Sequence, residues 1–197
     1  MLYIVYNYFA KHSCKKGGRA IISLKCLETA VLLLLALISD IKTFRIKNSI
    51  TYPFIAAGAI TGLFSHGLDG LFQSILGAFL PGLALTALYA LKMMGAGDIK
   101  LFCAIGAITG AKFALWSIAF SFIAGGIIAA IIMVFRKNAL QRFKCFLNYV
   151  KTCFLTLSLR PYGDFGDNGA GAKFPYACAA ALGAAMAGVF ARYGIIR

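Results

Sequence analysis

The sequence predicts an all-α fold, a polytopic membrane helix bundle of about six transmembrane helices. Three observations lead there. Hydrophobic residues fill 61% of the 197 positions and charged residues only 13%, whereas soluble domains hold about 45–50% apolar residues. The mean hydropathy is +0.83. The apolar residues also gather in runs close to the roughly 20 residues that a bilayer crossing needs. A chain of this make-up has too little polar surface to cover a water-facing exterior, which excludes a soluble domain, a disordered chain and a coiled coil. One domain is expected at this length.

The first expected span runs from about Ile21 to Ser39 and holds the block Val31-Leu32-Leu33-Leu34-Leu35. A second covers about Ile50 to Phe64 and a third Leu68 to Leu91. Pro81 lies inside the third, where a neighbouring helix must serve the carbonyl that proline frees. The fourth, Ile99 to Gly110, is short for a span on its own, while the fifth, Phe113 to Phe135, is the cleanest. The sixth, about Pro175 to Ile196, is rich in Ala and Gly, as close helix packing in lipid favours. The domain reading is a basic tail at 1–20, then a membrane-embedded domain at 21–197 with a cytoplasmic loop at 136–173. Within that loop Leu140, Phe143, Leu147, Val150 and Phe154 recur at helical spacing between Lys and Arg, the pattern of a basic amphipathic helix on a membrane surface. Pro161 to Gly171 reads as a flexible loop.

Twenty Lys plus Arg stand against six Asp plus Glu, a net charge of +14. In a membrane chain that excess sets orientation. The loops after the first, third and fifth spans share one side, and twelve basic residues fall there, among them Lys42, Lys47, Lys100, Arg136 and Lys173. The opposite side holds Lys112, Arg192 and Arg197. The first side is therefore expected to be cytoplasmic, facing an anionic inner leaflet, in a multi-pass protein of the inner cell membrane. No nucleic-acid partner is expected. The tail with Lys11, Lys15, Lys16, Arg19 and Lys25 runs against this orientation; either it folds back at the interface or the start methionine lies upstream of the natural one. Six cysteines show no C-x-x-C pair, and neither His12 nor His66 has a ligand neighbour at metal spacing, so no metal and no cofactor are expected.

Two acidic residues stand at span boundaries on the same predicted side. Asp40 ends the first span, and Asp98 follows Gly95-Ala96-Gly97 where the fourth begins. Singly, each has an ordinary explanation: Asp40 is balanced by Lys42, and Asp98 is a helix N-cap. The pair and its glycines point further. Gly95 and Gly97 permit backbone geometry closed to other residues and a close approach by another chain. Two carboxylates brought together cannot both ionise readily, so one keeps a proton. The charged member can then draw a proton from water while the neutral one polarises a peptide carbonyl.

Asp40-Ile-Lys-Thr-Phe-Arg-Ile46-Lys47-Asn48 resembles the signature of type IV prepilin peptidases, an Asp followed six residues later by Ile-Pro-Asn. Gly95-Ala-Gly97-Asp98-Ile-Lys100-Leu resembles that family's G-x-G-D-x-K segment, whose G-x-G-D core is shared with presenilin-like membrane aspartyl proteases. Phe174-Pro175-Tyr176 leading into Leu182-Gly183 is similar to the start of the family's last span. The resemblance covers about Val31 to Gly188, with the two aspartate segments as its specific part. It implies a membrane aspartic endopeptidase that removes the basic leader from prepilin-like proteins at the cytoplasmic membrane face, with Asp40 and Asp98 catalytic. The pilus assembly machinery is a further implied partner. Lys47 departs from the family's Pro, so the turn loses a fixed φ and gains a charge. The inserted domain with paired C-x-x-C motifs found in larger members has no match here, which implies peptidase without methyltransferase, as in the short members serving Flp-type (tight adherence) pili. Gly95, Gly97, Lys100 and Asn48 complete the motif set: Lys100 either orients Asp98 or anchors its span, and Asn48 caps the second span. Asp69 reads as a solvated loop residue on the far side, and Asp164 and Asp167 as partners for local cations. The rival reading is a non-enzymatic transporter or pilus-assembly subunit that uses the carboxylates for ion binding.

Overall fold

The computed structural model describes residues 18–43, 46–90, 94–135 and 176–192. The tail at 1–17, Arg45, Lys92, the amphipathic stretch and loop at 136–173 and the Phe174-Pro175 pair lie outside the described residues. Each apolar run forms a helix: α1 (Gly18–Thr43), α2 (Asn48–His66), α3 (Leu68–Ala90), α4 (Ala96–Thr109), α5 (Ala111–Phe135) and α6 (Tyr176–Arg192). The regular structure among the described residues is all helix, with no strand. Leu68–Ala90 and Ala111–Ile132 are each long and apolar enough to cross a membrane, and Tyr176–Ala191 is a shorter apolar helix.

The outward faces are apolar. Leu34, Phe72, Phe79, Leu83 and Ile127 are all exposed, an arrangement that suits acyl chains better than water. Inside, Leu32, Leu85, Leu101, Phe102, Ile105 and Phe113 are fully buried. The 14 residues of α4 reach only about 21 Å at 1.5 Å per residue, short of a roughly 30 Å hydrocarbon core. Its residues from Leu101 to Thr109 are buried apart from Cys103, so α4 is wrapped by the other helices rather than facing outward.

Small residues let these helices touch. A Cβ on Gly77 of α3 would strike the carbonyl of Gly106 in α4, and one on Gly106 would strike that of Gly77. Gly77 is also the residue whose carbonyl Pro81, four positions on, leaves without its helical N–H. The Cα–H of Gly106 points at that oxygen, so the neighbouring helix serves the freed carbonyl as expected. Gly62 and Gly70 bring α2 against α3 in the same way, Gly58 meets the backbone of Ala107 and Ile108, and Gly183 seats α6 on Ser117 and Ser121 of α5. Gly67 (φ 64°) and Gly110 (φ 95°) make the tight turns after α2 and α4, a backbone region that favours glycine. The first of these turns leaves no loop for Asp69. That residue is exposed but lies in the first turn of α3, where a carboxylate suits the helix dipole.

Candidate active site

Three helix ends converge around the two motif aspartates. Asp40 lies one turn before the end of α1 and is only 6% exposed. The backbone N–H of Ala177, in the first turn of α6, donates a 2.8 Å hydrogen bond to its Oδ2. Such N–H groups have no partner within their own helix, so a carboxylate placed there satisfies one of them and sits at the positive end of the helix dipole. A contact across 137 residues of chain thus fixes the orientation of the Asp40 carboxylate.

After α1 the chain reaches Ile46 and Lys47 and turns into α2. Lys47 is the N-cap, at φ −72° and ψ 138°. This φ lies within the range that a proline ring imposes, so Lys47 holds the backbone shape a proline would have at this position, without the ring that fixes it and with an added charge. Ile46 is buried, and the first turn of α4 packs on it. A Cβ on Gly97 would come within 3.2 Å of Ile46 Cβ and 3.4 Å of its N and O. Gly97 therefore clears the space through which the Asp98 segment approaches the Asp40 segment.

Gly95, not Asp98, is the N-cap of α4, at an ordinary extended φ of −75°. The expectation that these glycines provide unusual backbone geometry is corrected: Gly95 has an ordinary φ, Gly97 lies within the helix, and neither has a positive φ. What they provide is room. Asp98 sits in the first turn, its N–H bonded to the Gly95 carbonyl at 3.1 Å, and its carboxylate accepts a hydrogen bond from the Gly95 backbone. This is half of a capping box. A Cβ on Gly95 would lie 3.2 Å from Asp98 Oδ2.

Asp98 and Asp40 lie within electrostatic range of each other. Asp98 stands ahead of the apolar stretch that begins at Ile99, at the rim of the bundle. Its carboxyl is pushed up to about 6, first by burial, which strips water from the charged form, and second by the negative charge of Asp40. The Gly95 hydrogen bond opposes both effects. Near neutral pH this pair holds a proton on the Asp98 side more readily than an isolated carboxyl would.

Lys100 and Asn48 meet each other instead of the acids. The Lys100 ammonium donates to Asn48 Oδ1 at 2.9 Å and lies 5.1 Å from the centroid of the Tyr52 ring. Neither proposed role for Lys100 describes this contact, which ties the start of α4 to the start of α2. Asn48 is also not a cap: it is the first residue of α2, and no side-chain bond caps that helix. Ala177 and Tyr176 were not among the site residues expected from sequence. A backbone N–H has no side-chain signature, although the Pro-Tyr start of the last span marked the place. Among the described residues no three His, Cys, Asp or Glu side chains cluster as a metal site requires.

A model of the type IV leader peptidase family matches residues 27–132, just over half of the chain and the whole segment from Asp40 to Asp98. No curated protein and no solved structure matches the chain.

Proposed function

Because this chain belongs to the type IV leader peptidase family, and is therefore a peptidase for prepilin-like substrates associated with a membrane, we propose that Asp40 and Asp98 are its catalytic pair. The observation that carries the reading is the convergence of α1, α4 and α6, which places the two carboxylates within electrostatic range at one end of the bundle. The proton of the pair resides mainly on Asp98. Asp40, held by the Ala177 N–H, takes a proton from a water molecule as its oxygen adds to the scissile carbonyl carbon. Asp98 donates a hydrogen bond to the carbonyl oxygen, and the pair then returns a proton to the leaving amine as the C–N bond breaks.

The proposed setting is a multi-pass protein of the inner cell membrane, with the pair at the cytoplasmic face, where twelve of the basic loop residues are grouped. The substrate is a prepilin-like protein with a basic leader, cut without later methylation. The organisation as a basic tail at 1–20 and a membrane domain at 21–197 with a cytoplasmic loop at 136–173 belongs to the same proposal. The test is co-expression of a prepilin-like substrate with wild type, Asp40→Asn and Asp98→Asn, following leader removal on a gel. Removal by wild type alone is the expected result. Normal removal by either variant contradicts the reading.

A further inference from the structure

The hydroxyl of Tyr176 is buried and has no hydrogen-bond partner among the described residues. Burying a phenol O–H without an acceptor is unfavourable, and such groups in folded proteins call for an explanation. Its surroundings supply one. Tyr176 is the first residue of α6 and directly precedes Ala177, whose N–H holds Asp40. It also interacts electrostatically with Asp98. Its ring is fixed on two sides, edge-on to Phe102 with centroids 6.5 Å apart and tilted against Phe122 at 6.5 Å. Phe102 lies four residues, about one helical turn, beyond Asp98 on α4. The ring is thus held between two aromatic neighbours, and the hydroxyl lies in the field of Asp98 with its donor capacity unused among the described residues. The acceptor that the inference assigns to it arrives with the substrate, whose entry must part the residues that bury it.

Building on the aspartate-pair reading, we infer that Tyr176 is a third catalytic residue, whose O–H donates a hydrogen bond to the scissile carbonyl oxygen of the substrate. As the water oxygen adds to the carbonyl carbon, the π electrons of the C=O bond move onto that oxygen. The Tyr176 O–H and the Asp98 proton then stabilise the growing negative charge from two directions. The phenol keeps its proton, so the balance of the hydrolysis is unchanged: water is consumed, the C–N bond breaks, and the amine leaves with a proton from the aspartates. A donor aimed at charge that develops only in the transition state raises kcat rather than affinity.

The test uses full-length protein in detergent micelles, a prepilin-like substrate, and wild type, Asp98→Asn and Tyr176→Phe side by side. Tyr176→Phe keeps the ring contacts and removes only the unpartnered hydroxyl. It is expected to lower kcat about 10²–10³-fold, the usual effect of losing one such donor, with little change in KM and a melting temperature equal to or above that of wild type. A kcat within about twofold of wild type overturns the inference, as does a rise in KM alone. Cleavage by wild type but not by Asp98→Asn keeps the aspartate-pair reading intact whichever way Tyr176 falls, so the two failures are distinguishable. Should the Phe variant not elute as a folded species, 3,5-difluorotyrosine placed at position 176 keeps the shape and changes the donor. A kcat altered by that replacement supports the role, and an unchanged kcat overturns it.

Discussion

Glu28 and the Asp40–Asp98 pair occupy two regions of the bundle that treat their carboxylates differently. Glu28 lies 12 residues before Asp40 on α1, about 18 Å along the helix axis. Its Oε2 is 3.3 Å from the Thr61 hydroxyl of α2, and the positive charge of Lys25 is close by. Thr61 also reaches the Gly58 carbonyl at 3.1 Å, which Ser74 of α3 shares at the same distance. That acid is met by a donor and a cation, as a structural carboxylate is. At the other end the principal charged neighbour of Asp98 is a second acid. The first acid helps to tie α1 to α2 through Thr61, while the second faces a like charge that no such side-chain contact offsets among the described residues.

Glycine divides along the same line. Gly58, Gly62, Gly77 and Gly106 bring whole helices into backbone contact, whereas Gly95 and Gly97 clear the space in which Asp98 folds back and meets the Ile46 segment.

The largest expected effect separates the two acids. Asp98→Asn lowers the initial rate of leader removal by about 10²–10⁴-fold, the usual range for losing a general acid or base. Glu28→Gln retains the wild-type rate because its amide oxygen still accepts from Thr61. Equal losses in the two variants break the comparison.

Packing comes next. Gly106→Ala places a methyl group on the Gly77 carbonyl and is expected to destabilise the protein by at least about 1–3 kcal/mol, the usual cost of overpacking. Thermal unfolding in detergent checks this. Gly97→Ala meets Ile46 only at 3.2 Å, so it is expected to lower the cleavage rate more than the melting temperature.

The pH dependence sharpens the rim side of the comparison. The Asp98 carboxyl is raised from 3.8 to about 6. Its contribution to stability is therefore full below 3.8 and is lost as pH rises through about 6. The rate kcat/KM is expected to fall above about 6, by about tenfold per pH unit for one essential proton. Glu28→Gln leaves that midpoint in place. The smallest effect belongs to Lys100→Met, which removes the exposed hydrogen bond to Asn48 and the charge over the Tyr52 ring and is expected to cost about 0.5–1.5 kcal/mol in thermal unfolding.

The sequence shows its helices because membrane-length apolar runs are local signals: the run from Leu68 to Leu91 ends one residue from the helix observed. The shared location of Asp40 and Asp98 was also legible, since counting spans places their loops on one side. Other features depend on contacts between distant positions and leave no local pattern. The Ala177 N–H that holds Asp40 comes from 137 residues away, and the pairing of Lys100 with Asn48 spans 52. Gly97 was visible as a position that admits another chain segment, but that the segment is Ile46 required the folded structure. Lys47 marked a departure in sequence that its backbone φ of −72° does not carry into shape.

Cross-linking between single cysteines tests the central arrangement most directly. In a background cleared of the six natural cysteines, paired cysteines at 40 and 98 are treated in native membranes with a short bifunctional thiol reagent, beside a pair at 28 and 98. Linkage of 40 to 98 without linkage of 28 to 98 is the predicted result. Absence of the 40–98 link, or linkage of both pairs to the same extent, contradicts the account.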